Sequence, residues 1–201
     1  MKLVFLDVDG VLNSFDSWHA KRADGFSFHC AAALDPTLVA RLNTLLSRAP
    51  ADTRVILSST WRKRLTPEEM KAILVEVCPG FCGNLVDRTP VLWRDVDGNR
   101  LYRGDEIQVW LDEHGHEATG MVILDDDSDM AHLGDWLIKT ECEDGLQDRH
   151  VEAALALLER PMPRMKPRDC PTCHGTGFSG TQGQGYDDVC DDCGGTRVEA
   201  P

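Results

Sequence analysis

The chain opens with a short apolar stretch that is followed at once by two carboxylates spaced two residues apart. The stretch covers residues 3–6, the acids are Asp7 and Asp9, and Gly10 comes directly after them. Residues i and i+2 of an extended backbone point to the same side, so a buried strand over residues 2–8 would present both acids at its carboxyl end. Open α/β sheets bind ligands at that end, and Gly10 lets the chain turn away. Such a pair can hold a divalent cation and still offer a nucleophile and an acid/base group.

Short buried strands and amphipathic helices alternate along residues 1–159. The apolar pattern predicts strands at 2–8, 54–57, 121–124 and 136–140, and helices from Pro36, from Thr66, over 105–113 and over 150–159. This alternation predicts an α/β fold, a Rossmann-like parallel sheet with helices on both faces. Residues 10–34 and 81–100 are predicted to be irregular, with a turn at 97–99.

Three of the predicted strands end in polar groups suited to phosphate and metal chemistry. The first ends in Asp7 and Asp9, the second in Ser58, and the third in Asp125 and Asp126. Because the carboxyl ends of parallel strands meet at one edge of a sheet, we expect these groups to share a site. Taken alone, the first acidic motif also fits a solvated turn or a calcium loop, the motif at 125–129 also fits an acidic loop, and Ser58 also fits a helix cap.

At these positions the chain resembles the haloacid dehalogenase (HAD) superfamily of phosphohydrolases. The matching segments are Asp-Val-Asp-Gly-Val at 7–11, Val-Ile-Leu-Ser at 55–58, Arg-Gly-Asp-Glu-Ile at 103–107 and Ile-Leu-Asp-Asp at 123–126. The resemblance covers about residues 1–159 and includes no long insertion, so it implies a minimal cap. The segments at 57–62 and 103–111 are most similar to the small HAD domains of RNA repair and polynucleotide phosphatase proteins.

The resemblance implies a phosphomonoesterase that works through an aspartyl-phosphate. Asp7 would be the nucleophile, Asp9 the acid/base group, Ser58 a hydrogen-bond donor to the phosphoryl group, and Arg103 the cation in place of the usual lysine. An arginine keeps the charge and can bind phosphate through two parallel hydrogen bonds. The implied cofactor is Mg²⁺, bound by oxygens of four acids: Asp7, Asp9, Asp125 and Asp126.

Several neighbouring groups compete for the phosphate. Ser59 or Thr60 could replace Ser58 as the ligand, and Arg100 or Lys63 could replace Arg103. The basic run at 61–64 predicts a patch that holds a second phosphate or a nucleic-acid backbone, and a solvated helix start is the alternative. The candidate substrate-binding residues are Ser59, Thr60, Arg62 and Lys63.

A separate cysteine-rich tail follows a Pro-rich linker at 160–168. Residues 169–201 contain two Cys-x-x-Cys pairs separated by sixteen residues, Cys170 and Cys173, then Cys190 and Cys193. This spacing predicts a small zinc-ribbon-like module with one structural Zn²⁺ on four thiolates, which would supply folding energy. The repeated pattern resembles half of the zinc-binding region of DnaJ-type chaperones. Redox dithiols, or a site that uses His174, are the alternatives, and the module could bind a protein partner.

Net charge and apolar content reduce the number of protein classes to which the chain could belong. The net charge of −13 argues against a protein that wraps nucleic acid with a broad basic face, but not against one that binds a nucleic-acid end. No apolar run approaches the roughly 20 residues of a membrane span, and without an export signal we expect a cytoplasmic protein. We expect hydrolysis of nucleotide or polynucleotide terminal phosphates, and the alternatives are a phosphoprotein, a small metabolite, or a non-catalytic zinc-containing adaptor.

Overall fold

A computed structural model describes residues 1–15, 30–94, 100–115 and 117–162 of the chain. The predicted turn at 97–99, most of the predicted linker and the whole predicted zinc module lie outside these residues. No helix within the described ranges is long and apolar enough to cross a membrane.

The described strands form one parallel sheet in the order β3-β2-β1-β4-β5. They are β1 (Lys2–Leu6), β2 (Arg54–Leu57), β3 (Leu85–Arg88), β4 (Gly120–Asp125) and β5 (Leu137–Lys139). The described α-helices are α1 (Pro36–Arg48), α2 (Pro67–Val77), α3 (Arg103–His114) and α4 (Asp148–Glu159). Short 3-10 helices span Ala31–Ala33, Thr60–Lys63 and Ala131–Trp136.

Helices cover both faces of the sheet, and the central strand β1 shows why its sequence is apolar throughout. Leu3 and Phe5 point into one apolar cluster, which contains the inner face of α3. Val4 and Leu6 point into the other, which contains apolar residues of α1, α2 and α4. All four side chains are fully buried, as the period of two requires for a strand between two helical layers. The predicted Rossmann-like α/β class is confirmed.

The predicted elements shift at their ends, and one strand was missed. β1 ends at Leu6, two residues earlier than expected, and the turn follows at Asp9 and Gly10. α3 begins at Arg103 rather than at residue 105, so the candidate cation lies in its first turn. β3 lies within the stretch predicted to be irregular, where its polar Asp87 and Arg88 are tolerated because it is an edge strand.

Two helix starts follow the capping chemistry in the sequence. The side chain of Asp35 accepts a hydrogen bond from the Thr37 amide at 2.8 Å, and Pro36 begins α1. Thr66 and Glu69 form a reciprocal capping box at the start of α2. Each cap satisfies amides that the helix itself leaves unpaired, so both helices begin at defined residues.

Candidate active site

The ends of three strands bring the predicted acids and serine to one edge of the sheet. The Asp7 amide donates to the carbonyl of Leu124 at 2.9 Å, and the Ser58 amide donates to the carbonyl of Leu6 at 2.8 Å. Asp125 is the last residue of β4. These backbone bonds continue the parallel ladders by one residue and therefore place the three side chains next to one another.

Three carboxylates form a compact, largely buried cluster. Oxygens of Asp7, Asp125 and Asp126 lie within 4.8 Å of one another. Burial raises the pKa of Asp7 to about 6, with Arg103 opposing the rise, and raises that of Asp125 to about 8, with repulsion from Asp7 adding to it. Oδ2 of Asp125 is buried and accepts no hydrogen bond within the described residues. Hard divalent cations prefer such oxygen ligands, and one would remove the repulsion that raises these pKa values.

A glycine turn packs directly against this cluster. Gly10 has a φ of +72°, and a Cβ at this position would lie 2.5 Å from Cγ of Asp126. Only glycine therefore lets the chain turn after Asp9 without displacing an acid of the cluster.

The thiol of Cys142 also contacts the cluster and donates to Oδ2 of Asp126 at 2.7 Å. This hydrogen bond is the main cause of the raised pKa of the thiol, about 11.

Arg103 supplies the positive charge of the cluster. Its Nη1 lies 3.4 Å from Oδ1 of Asp7 and 3.5 Å from Oδ2 of Asp125. The next residue, Gly104, allows this approach, since a Cβ there would lie 2.2 Å from the carbonyl oxygen of Met130. Close packing of α3 on the loop after β4 thus brings the guanidinium to the acids.

Asp9 is exposed, yet its carboxylate is held by three side-chain donors. The indole Nε1 of Trp61 lies 3.1 Å from both oxygens, Nδ2 of Asn13 donates at 2.9 Å, and the hydroxyl of Thr60 donates at 3.4 Å. Asn13 in turn accepts from the Gly10 amide at 2.9 Å. The predicted acid/base group is therefore oriented from two separate segments of the chain.

The three hydroxyls weighed as phosphate ligands have different surroundings. Ser58 is buried, and its Oγ has no hydrogen-bond partner among the described residues. Ser59 is also buried, accepts from the Trp61 amide, and forms a hydrogen bond that opposes the burial effect on the pKa of Asp7. Thr60 contacts Asp9. The hydroxyl of Ser58 is thus available to a ligand, whereas those of Ser59 and Thr60 already contact Asp7 and Asp9.

The basic residues predicted to bind substrate divide between the interior and the surface. Arg62 is 3% exposed and forms an ion pair with Glu106. It also donates to the carbonyls of Ser59 and Pro90. The Lys63 ammonium instead lies over an exposed ring, that of Trp93. Arg62 is therefore placed to stabilise the packing between the segment after β2 and α3, and its surroundings do not favour direct contact with substrate.

The family of the chain follows from a comparison with known families. A family model described as the HAD domain in Swiss Army Knife RNA repair proteins matches residues 3–151, well over half of the 201-residue chain. The chain belongs to this family. The resemblance predicted from the motifs is confirmed, and membership supports HAD-type phosphohydrolase chemistry in general terms. No match was found among curated proteins or among solved structures.

The match includes the predicted magnesium and catalytic positions of this HAD domain but not its tail. Cys170, Cys173, Cys190 and Cys193 lie beyond residue 151 and outside the described residues, so the zinc module stays a prediction.

Sequence reasoning missed several groups that hold the HAD site together. Asn13 and Trp61 orient Asp9, Glu106 pairs with Arg62, and Cys142 contacts Asp126. Asn13 carries a local signal, because a polar side chain just after a glycine turn commonly bonds back to the turn. The other contacts join residues far apart in sequence, and nothing in the local pattern predicts them.

Proposed function

We propose that this HAD domain is a Mg²⁺-dependent phosphomonoesterase that removes terminal phosphates from nucleotides or polynucleotides. The observation that carries the proposal is the buried cluster of Asp7, Asp125 and Arg103 with the oriented carboxylate of Asp9 beside it. A nucleophile, a cation and a second carboxylate at one sheet edge are the groups that monoester hydrolysis needs.

The residues that would hold Mg²⁺ are the three clustered acids, Asp7, Asp125 and Asp126, together with the main-chain carbonyl of Asp9. When bound, the ion would neutralise phosphate charge and keep the nucleophile ionised. The fit is supported by the oxygen-only donor set and by the buried Oδ2 of Asp125, which accepts no hydrogen bond within the described residues.

The side chains divide the reaction between them. An oxygen of Asp7 attacks phosphorus while the bond to the leaving oxygen breaks, and Asp9 gives that oxygen its proton. Asp9 then takes a proton from water, which attacks the aspartyl-phosphate, releases inorganic phosphate and restores Asp7. Arg103 stabilises the charge on the transferred group, and Ser58 donates its free hydroxyl to it.

Family membership supports a nucleic-acid substrate, since the matching model describes domains of RNA repair proteins. A substrate panel tests this point: 3′- and 5′-phosphorylated oligonucleotides, mononucleotides, phosphopeptides and p-nitrophenyl phosphate. We expect the highest kcat/KM with a phosphorylated oligonucleotide or nucleotide. A clear preference for phosphopeptides would show that the domain acts on phosphoproteins instead.

The mechanism predicts that Asp7→Asn lowers kcat for p-nitrophenyl phosphate by more than about a thousandfold, because the covalent route loses its nucleophile. Glu76→Gln removes a charge from an exposed position on α2 and is the matched control. Full activity of Asp7→Asn, or activity of the unaltered protein in excess EDTA, would contradict the proposal.

The C-terminal cysteines carry a separate proposal, one structural zinc per chain. Metal analysis of protein purified under reducing conditions should find about one zinc, and the double variant Cys170→Ser/Cys173→Ser should lose it. Zinc-free wild-type protein would refute the four-thiolate site.

A further inference from the structure

A cleft of about 340 Å³ opens beside the acid cluster and shares Arg103 with it. This volume is at the low end of the range for small-ligand pockets, so the cleft has room for about one nucleoside. Thr60, which contacts Asp9, also lines it. The cleft is therefore continuous with the site at which the phosphate would react.

The lining of the cleft is positive although the chain is strongly acidic. Five of its lining residues are basic and two are acidic, against a net charge of −13 for the chain. One of the two acids, Glu106, is paired with the buried Arg62. The outer cations are Lys63, Arg94 and Arg100. A concentration of positive charge in a concave site attracts anionic groups, and phosphodiesters in particular.

Aromatic rings line the same cleft. Trp93 has 73% of its surface exposed, the largest exposed fraction among the bulky apolar side chains of the described residues. The Lys63 ammonium lies 4.7 Å from its ring centre, and the Arg100 guanidinium lies 5.3 Å from that of Tyr102. Aromatic faces interleaved with cations are the usual surface on which proteins bind the bases and backbone of single-stranded nucleic acid.

We propose that this cleft binds the terminal nucleoside of a single-stranded polynucleotide end. The base stacks against Trp93, and the next phosphodiester contacts Lys63, Arg94 and Arg100, while the terminal phosphate reaches the acid cluster. A single strand is required because a base within a duplex has no free face to offer the ring. The inference rests on the proposed function and extends it from a reaction to a substrate class.

Binding can be measured separately from catalysis with full-length Asp7→Asn protein and a labelled, phosphate-terminated single-stranded oligonucleotide, by fluorescence anisotropy. Adding Trp93→Ala should weaken the Kd about 5- to 150-fold, the effect of removing one stacking surface, whereas Trp93→Phe should retain most of the affinity. Folding of each variant is checked by its urea midpoint, which an exposed side chain should leave unchanged.

Salt dependence tests the phosphate contacts. Arg100→Ala should reduce the slope of log K against log salt by about 0.7, the value for one phosphate contact on a single strand. Arg48→Ala, on the exposed face of α1, removes the same charge elsewhere and should leave the slope unchanged.

The outcomes separate the two proposals. Suppose that the protein is an active phosphatase and that neither Trp93→Ala nor Arg100→Ala changes its binding of the oligonucleotide. That result would overturn the cleft inference and leave the proposed function intact. So would a phosphopeptide or a duplex that competes as well as the single strand. A protein with no phosphatase activity on any substrate, but with Trp93-dependent binding, would instead overturn the proposed function and support the cleft.

Discussion

The buried ion pair between Arg62 and Glu106 yields the sharpest quantitative prediction of the structure. Their side chains are only 2% and 9% exposed, and the pair joins the segment after β2 to α3. Glu106 also accepts from the Leu92 amide at 2.9 Å. Removal of Glu106 leaves the charge of Arg62 buried without its counterion, which typically costs about 3–5 kcal/mol. We expect a loss of this size in the free energy of unfolding for Glu106→Leu. The loss for Arg62→Met should be smaller, because Arg103 still lies 4.0 Å from Glu106.

The double variant should cost much less than the sum of the two single variants. With both charges gone, the remaining penalty comes from the carbonyls of Ser59 and Pro90 and from the Leu92 amide, which lose their partners. We therefore expect a coupling energy of about 2–3 kcal/mol from the cycle. Against a total stability of roughly 5–15 kcal/mol, each single variant should shift the urea midpoint strongly.

Urea unfolding of the four proteins measures the cycle, and the exposed pair Arg48–Glu152 is the matched control. That pair has good geometry but side chains 46% and 63% exposed, so its coupling should be far smaller. The reasoning fails if Arg62→Met unfolds at the wild-type midpoint. A raised KM for phosphorylated oligonucleotides with unchanged stability would mean that Arg62 binds substrate directly, as the sequence predicted.

Two further predictions concern the acids of the site. Because the pKa values of Asp7 and Asp125 are raised in the folded protein, to about 6 and about 8, their contribution to stability is complete below about pH 4 and is lost as the pH rises through those values. In EDTA the urea midpoint should therefore fall between pH 5 and pH 8, and Asp125→Asn should flatten this fall; an equal fall in that variant would contradict it. Trp61→Phe removes the indole donor to Asp9 and should lower kcat about tenfold with little change in KM. The control is Trp110→Phe, which removes an indole hydrogen bond to Asp87 and should leave kcat unchanged. Equal kcat values for these two variants would exclude the positioning role.

The sequence predicted best the elements whose apolar pattern and length favour one kind of secondary structure. β1, β2 and β4 are apolar runs bounded by polar groups, and runs this short that are buried on both faces favour central strands over buried helices. The missed strand β3 has no such pattern: two apolar residues precede two polar ones, and only Leu85 is buried because the strand lies at the sheet edge. Its Asp87 also accepts a hydrogen bond from Trp110 of α3, a use that no local pattern shows.

The acids of the site were predictable for a related reason. They terminate strands, and parallel strands bring their ends together whatever the lengths of the connections. The groups that orient those acids were not predictable, because their partners are remote in sequence. Trp61 follows Asp9 by 52 positions and Glu106 follows Arg62 by 44. Such pairings depend on side-chain directions in a 3-10 turn and a helix start, which become defined only after the sheet has formed.

The first turn of α3 connects the reaction site to the cleft. Successive residues of this turn have different partners. Arg103 contacts the acids, and Gly104 packs against Met130. Asp105 accepts from the Tyr102 amide, while Glu106 pairs with Arg62 and accepts from the Leu92 amide. Positions three apart lie on the same side of a helix, so Arg103 and Glu106 face the strand ends together. Leu92 directly precedes Trp93. A shift of this turn would therefore move Arg103, the proposed catalytic cation, and the proposed stacking surface at the same time.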